Sequence, residues 1–218
     1  FSNERSASYG SIIPGTGEVN HQWSKGWAFE SAFGAHLQSH VAADLLCEAE
    51  HDEDAQVFLV TTSERLAKDV SKLIEAQLKG LQRVKIASKA IAQHAVAFVV
   101  PSMDEAIAVA NEIAPEHLTL SVDNPFDYLE QIRHAGALFL GRYTPPSVAD
   151  YIAGPNHVLP TGGTARFFSP LSVNDYVKVS NIVHYTKQAL AKVKDPLIRL
   201  AQIEGFDAHA KSAQSRFV

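Results

Sequence analysis

A short segment in the middle of the chain combines an acid and an imidazole with two prolines. Asp150 comes just before residues 152–160, which hold His157 between Pro155 and Pro160. Each proline removes a backbone donor and fixes φ, so this segment is predicted to be an ordered loop and not the interior of a helix. Loops that are positioned by a rigid scaffold often carry the residues that bind or transform a ligand.

Other side chains suited to metal binding or proton transfer are scattered along the chain. Together with Asp150 and His157 they are Glu48, His51, Glu116, His117, Glu204 and His209. Zinc is bound by nitrogen and oxygen ligands, three or four of them from the protein. His51, Asp150 and His209 would supply such a set only if the fold gathers three distant segments. Taken singly, each residue also fits an ordinary role on a solvated surface.

The Glu116–His117 pair stands at a predicted junction between a helix and a strand. It follows Pro115 directly, and a carboxylate beside an imidazole at such a junction suits general acid and base chemistry. Glu48 and His51 are three residues apart on a predicted helix, so they are expected to share one helix face. Neither spacing alone separates a catalytic site from chance.

The elements that must position these residues alternate between strands and helices. Helices are predicted near residues 38–51, 63–79, 102–113 and 125–134, and strands near 56–61, 95–100, 118–122 and 137–141. The strands are apolar throughout, which is typical of a parallel sheet covered on both faces. The predicted fold class is therefore α/β, an incomplete Rossmann-like, doubly wound, largely parallel sheet with a C-terminal helical arm.

Three regions are expected along the chain. Residues 1–40 form an irregular N-terminal segment, residues 41–165 a Rossmann-like catalytic domain, and residues 166–218 a helical arm. Apolar side chains recur every three or four residues in the arm, which predicts an amphipathic helix with one face for packing. That face favours contact with a second subunit, and the arm is predicted to be exchanged between the two subunits of a homodimer.

Composition excludes several classes of protein. Hydrophobic residues make up 46% of the chain and charged residues 20%, as in globular domains. The net charge of -5 and the lack of a Lys/Arg cluster argue against binding to nucleic acid. No apolar run reaches the roughly 18 residues of a membrane span. The single cysteine, Cys47, suits a reducing cytoplasm, and the first residue, Phe1, suggests a chain that is trimmed or part of a longer one.

Four segments, in order, resemble the histidinol dehydrogenase family. Residues 48–51 are similar to the family's Q-A-E-H, and residues 115–118 to its P-E-H-L. Residues 150–161 are similar to D-Y-x-x-G-x-N-H-V-L-P-T, and residues 204–209 to E-G-L-x-A-H. The resemblance extends from about residue 41 to the end of the chain.

The resemblance implies a zinc site. Its ligands would be Glu48, His51, Asp150 and His209, with His209 offered by the partner subunit of a homodimer. Where the family has glutamine as its first ligand, this chain has Glu48, which adds a negative charge. With Asp150, that charge would neutralise Zn²⁺ and weaken its pull on a substrate.

The resemblance also implies an activity. L-histidinol would be oxidised through the aldehyde to L-histidine, the last step of histidine biosynthesis, with NAD as the oxidant. Glu116 would activate a water, His117 would act as general base, and His157 and Glu204 would hold the substrate. In the family most contacts with NAD come from a second Rossmann-like domain upstream, which residues 1–39 do not match. The resemblance therefore implies no particular NAD-binding residue in this chain.

Two other functions remain open from the sequence. The chain would be a shortened, non-catalytic relative of the family that dimerises without turnover, or a zinc-dependent binder of a small amine or amino alcohol. The four proposed catalytic and substrate-binding residues favour the enzyme, because a scaffold needs none of them. Production of NADH from L-histidinol separates an enzyme from a binder.

Overall fold

The computed structural model describes residues 24–30, as backbone only, and residues 37–217. The chain divides after Asp175 into two compact units. The first unit contains the sheet and its helices, and the second contains only helices.

The first unit is built on one parallel sheet of five strands. The strands are β1 (Ser24–Glu30), β2 (Gln56–Thr61), β3 (Ala95–Val99), β4 (His117–Ser121) and β5 (Ala137–Leu140). Their order across the sheet is β3-β2-β1-β4-β5, and every neighbouring pair is parallel. Since β1 pairs with both β2 and β4, the chain reverses its direction of winding at β1, as a doubly wound sheet requires.

Five helices accompany this sheet. They are α1 (Leu37–Ala49), α2 (Glu64–Leu78), α3 (Val84–His94), α4 (Met103–Ile113) and the single turn α5 (Pro146–Val148). The hydroxyl of Ser63 accepts a hydrogen bond from the Leu66 amide, and that of Ser102 accepts one from the Glu105 amide. Both serines are thus N-caps, a position at which serine is strongly preferred.

Side chains of the strands alternate between two cores. On β2, Val57 and Leu59 pack with α1, α2 and α3 on one face, while Phe58 and Val60 pack with α4 on the other. Successive side chains of a strand point to opposite faces, so a strand that is apolar throughout needs helices on both sides. The predicted fold class is confirmed.

Three local predictions miss what tertiary contacts decide. Residues 1–40, which are expected to be irregular, contain the central strand β1. This strand is stabilised by pairing with a neighbouring strand on each side. The helix α3 is not predicted at all. The segment after Asn124 forms a 3-10 helix, Pro125–Gln131, and not the expected α-helix to residue 134.

The compact units divide after Asp175, beyond the boundary expected at residue 165. The assignment of a function to each region stays a prediction.

The second unit is a pair of helices, α6 (Lys187–Ile203) and α7 (Asp207–Gln214). Gly205 joins them with a φ of 75°, and the Phe206 amide donates to the Ala201 carbonyl to close the turn. The amphipathic helix expected in the arm is therefore present. None of the helices within residues 37–217 has the length and apolar character that crossing a membrane requires.

Candidate active site

Three residues of the candidate site, Glu48, Glu116 and His117, lie where the strands begin. We call this side of the sheet the amino edge, and the side where the strands end the carboxyl edge. Helix α1 leads into β2, so its last turn, with Glu48, lies at the amino edge. His117 is the first residue of β4, and its side chain emerges at the same edge.

A buried hydrogen bond joins α1 to β4. Nδ1 of His117 lies 2.8 Å from Oε1 of Glu48, and the two side chains are only 7% and 2% exposed. A carboxylate can only accept hydrogen bonds, so Nδ1 carries the hydrogen and donates it. The other ring nitrogen, Nε2, is then the basic atom of a neutral ring. The ring of Phe139 on β5 contacts the His117 ring edge to face, with centroids 5.3 Å apart.

The environment of His117 raises its pKa. Burial by itself would lower the pKa, because it disfavours the imidazolium. The hydrogen bond and charge of Glu48 oppose burial, and the charges of Glu116 and Asp150 add to them, so that the pKa is raised. Asp150, from a π-helical turn distant in sequence, is thus one of the charges that raise the pKa of His117.

Acidic side chains are crowded around the last turns of α1. Burial, together with the charges of Glu48, Glu50, Asp44 and Asp150, raises the pKa of the Cys47 thiol to about 12. Cys47 is thus a neutral thiol at physiological pH, as expected for a packing residue. Burial, with repulsion from Glu48, also raises the pKa of Asp44 to about 7. Asp44 was not among the predicted residues, although its position one helical turn before Glu48 is a visible signal.

One oxygen of Glu48 is left for another ligand. While Oε1 is bonded to His117, Oε2 is buried and has no hydrogen-bond partner among the residues that the structure describes. A buried carboxylate oxygen without a partner is costly, and a cation would offset that cost. A cation would also offset the repulsion among the acidic side chains that are crowded around the last turns of α1.

The segment that carries Glu116 is held by a turn and by β5. Helix α4 ends at Ala114, whose φ of 52° makes it the one non-glycine residue with positive φ among those described. Pro115 follows and prevents the helix from continuing. The carbonyl of Pro115 accepts from the Gly136 amide at 2.9 Å, and that of Glu116 from the Ala137 amide at 2.8 Å. Glu116 itself is only 8% exposed.

Ile152 and Ala153 end a π-helical turn (Ala149–Ala153), whereas the remaining residues to 160 form the predicted loop, which is ordered by hydrogen bonds within it and to Leu171. The Val158 amide donates to Oδ1 of Asn156 at 2.7 Å, and the Leu171 amide donates to the Val158 carbonyl. His157 is exposed, whereas Pro160 is buried. The turn α5, just before the loop, contacts α1.

The four predicted zinc ligands are placed unequally. Glu48 is buried, His51 is exposed just after the end of α1, and Asp150 is half-buried in a π-helical turn. His209 belongs to the second unit. Among the residues described in this single chain, no three His, Cys, Asp or Glu side chains form a group placed to hold a metal ion. The zinc site stays a prediction.

Glu204 and His209 share a groove within the second unit. Glu204 caps the end of α6, and the ring of His209 on α7 lies 5.2 Å from that of Phe206. The groove between the two helices is otherwise lined mainly by apolar side chains, such as Leu197 and Leu200. The tail therefore offers an acid and an imidazole on one surface.

Comparison with known proteins identifies the family. The sequence model of histidinol dehydrogenase matches residues 34–217. The chain belongs to the histidinol dehydrogenase family. A model of the MurL N-terminal domain matches residues 1–46. The chain also resembles the crystal structure of histidinol dehydrogenase from Elizabethkingia anophelis, with a TM-score of 0.84 and 34% identity, over 89% of this chain and 44% of that one.

Curated histidinol dehydrogenases show the same relationship in sequence. The protein of Bacillus thuringiensis subsp. konkukian is 54% identical over 178 residues, which is 82% of this chain and 42% of that protein. The protein of Geobacter metallireducens is 50% identical over 183 residues, 84% of this chain and 42% of that protein. The chain spans about two fifths of the length of these relatives. The resemblance predicted from the four segments is confirmed.

Proposed function

We propose that the chain oxidises L-histidinol through the aldehyde to L-histidine, with NAD as the oxidant and zinc as the resident metal. Membership of the histidinol dehydrogenase family supports the reaction class and the substrate. The observation that carries the proposal is the buried Glu48–His117 hydrogen bond, with Glu116 in the adjacent position. A homodimer in the cytoplasm is part of the same proposal.

His117 is the base of the first oxidation. The alcohol must lose its proton as hydride leaves the neighbouring carbon for NAD, which yields the aldehyde and NADH. An imidazole whose Nδ1–H is held by Glu48 presents Nε2 for that proton. Because the ring is clamped between Glu48 and Phe139, it needs little reorganisation to take the proton.

Glu116 serves the second oxidation. Water must add to the aldehyde before a second hydride can leave for a second NAD, and the product is then the carboxylate of L-histidine. A buried carboxylate can take a proton from that water as it adds. The adjacent positions of Glu116 and His117 supply one base for each step.

The remaining predicted residues bind zinc and substrate. Zinc would be held by Glu48, His51 and Asp150 of one subunit and by the partner subunit's His209, a set of nitrogen and oxygen donors that suits this metal. The unpartnered Oε2 of Glu48 and the crowded acids of α1 favour a cation there. When bound, zinc would orient the imidazole and amine of the substrate. His157 and Glu204 would hold the substrate.

An oxidation assay with metal analysis tests this proposal. The purified chain, loaded with zinc, is mixed with L-histidinol and NAD, and NADH is followed by its absorbance. Two NADH for each L-histidine formed are expected, with zinc bound in proportion to protein. Zinc-dependent binding of histidinol with no NADH would show a binder, and absence of both would refute the proposal.

Zinc itself gives a separate prediction. Removal by a chelator is expected to lower the melting temperature, because the acids near Glu48 lose their counterion, and added zinc is expected to restore it. Asp150→Asn should reduce zinc content. The matched control is Asp123→Asn, a carboxylate at the carboxyl edge that lies 3.7 Å from Arg142 and should leave zinc unchanged.

A further inference from the structure

We propose that Gly136 and Phe139, which no sequence motif assigns to the site, are positioning residues for His117. Gly136 directly precedes β5 and Phe139 lies within it, so both reach the Glu116–His117 segment from a strand that pairs with β4. The role rests on the proposed function, since it concerns the geometry of the proposed base. It is nevertheless visible in the hydrogen bond between Glu48 and His117, whether or not the chain oxidises histidinol.

Gly136 is required by space and not by backbone conformation. Its φ is not among the positive values found at other glycines of the described chain, such as Gly141 and Gly154. A β-carbon at position 136 would instead lie 2.6 Å from the carbonyl oxygen of Glu116, a separation that real β-carbons essentially never show. The obstacle is backbone, which cannot rotate away as a flexible side chain would.

The absence of a β-carbon at position 136 also leaves room for a second segment with proposed chemistry. A β-carbon there would lie 3.2 Å from Cδ of Pro160, at the end of the loop that carries His157. Gly136 is thus close both to the backbone of Glu116 and to the ring of Pro160. A side chain there would push the two segments apart or displace the peptide of Glu116.

Hydrogen bonds from Gly136 and Ala137 hold the backbone that leads into His117 in place. The amides of Gly136 and Ala137 bond to the carbonyls of Pro115 and Glu116, so any shift at position 136 moves the peptide that leads into His117. Ala137 pairs in register with His117, and Phe139 contacts the His117 ring. Helix α1 holds one side of the ring through Glu48, and β5 holds the backbone and the other contact.

The first test is Gly136→Ala with Gly80→Ala as the matched control. At Gly80 a β-carbon would meet only the Gln77 carbonyl oxygen at 3.6 Å, an ordinary contact. Histidine-labelled protein is examined by ¹⁵N NMR, and the ring signals of His117 are assigned by their loss in His117→Gln. In the parent and in Gly80→Ala, the His117 Nδ1–H signal should show a hydrogen bond to a carboxylate. In Gly136→Ala, this signal should shift or disappear while the fold is retained.

A second variant, Phe139→Leu, covers the case in which Gly136→Ala does not fold. It keeps an apolar side chain at the position but removes the ring that contacts His117, so the His117 ring signals should change while circular dichroism stays the same. Unchanged His117 signals in folded Gly136→Ala, or in Phe139→Leu, would overturn the proposal. Loss of folding in Gly136→Ala together with unchanged signals in Phe139→Leu would assign position 136 to the fold as a whole, which also overturns it.

Kinetics supply the readout that links position to function. Misplacing a catalytic group by about 1 Å can cost about 100-fold in rate. Gly136→Ala and Phe139→Leu are expected to lower kcat by about 10–100-fold with a smaller change in KM. A rise in KM alone would contradict a positioning role. If the parent shows no oxidation but the NMR results are as expected, the proposed function fails and the positioning role stands.

Discussion

The two edges of the sheet differ in what they bury. At the amino edge, Glu48, Glu116 and His117 are ionisable and nearly inaccessible to solvent. At the carboxyl edge, Ser63 and Ser102 cap helices, and Asp123 and Arg142 form an exposed pair. In open parallel sheets, ligands usually bind at the carboxyl edge, where the winding reverses. In this protein the residues proposed for catalysis lie at the opposite edge, so the general rule for this fold would not point to them.

The difference follows from what each edge is built to do. Helices that begin at the carboxyl edge need their free amides capped, and short polar side chains meet that need at little cost. Burying a carboxylate and an imidazole costs far more unless they are paired. Glu48 and His117 are buried and bonded to each other. This arrangement indicates that the amino edge needs ionisable groups in fixed positions.

The largest expected effect compares the two ends of one strand. His117→Asn, at the start of β4, should lower kcat for histidinol oxidation by about 10²–10⁴-fold, because the proposed base is lost. Ser121→Ala, at the end of the same strand and similarly buried, should keep nearly full activity. Steady-state kinetics with zinc content measured in parallel check both. Equal losses in the two variants would remove the distinction between the edges.

An intermediate effect is expected on the pH dependence of stability, because Asp44 is half-buried near Glu48 at the amino edge. The pKa of Asp44 is raised from an ordinary value of 3.8 to about 7, so the folded state holds this proton more tightly than the unfolded state. Its contribution to stability is complete below pH 3.8 and is lost as the pH rises to about 7. A pKa difference of this size between the folded and unfolded states corresponds to at most about 4 kcal/mol of stability.

Asp44→Asn should remove the loss of stability that the parent shows as the pH rises from 3.8 to about 7. In denaturant titrations with a chelator present, the variant should be more stable than the parent above pH 7, and the two should converge near pH 4. The difference between the two curves isolates Asp44 from the other acids of the chain. A difference that does not vary with pH would show that Asp44 is not held neutral by the fold.

The smallest effect is expected at the carboxyl edge. Ser102→Ala removes the cap of α4 and should lower the free energy of unfolding by about 1 kcal/mol, with kcat unchanged. Ser63→Ala, the equivalent change on α2, is the matched comparison and should behave alike. A tenfold fall in kcat in either variant would place catalytic function at the carboxyl edge as well.

Much of the fold follows from local sequence patterns. The β2 segment, apolar over most of Gln56–Thr61, and the caps Ser63 and Ser102 correctly predict strands and helix starts, because burial and capping depend on neighbouring residues. β1 is missed, since its pattern is weak and its place in the sheet comes from pairing with β2 and β4. The strength of a central strand is contributed by partners that are distant in sequence.

By itself, the sequence determined the fold class and the family, since four ordered segments and a regular alternation of elements are visible without coordinates; its site residues stay a prediction. Only the tertiary structure decided that Glu48 and His117 are bonded, that Asp150 acts on His117, and that Gly136 must lack a side chain. The physical reason is separation along the chain. Contacts between α1, β4, β5 and the loop of residues 152–160 depend on how the sheet brings distant segments together, which no local pattern records.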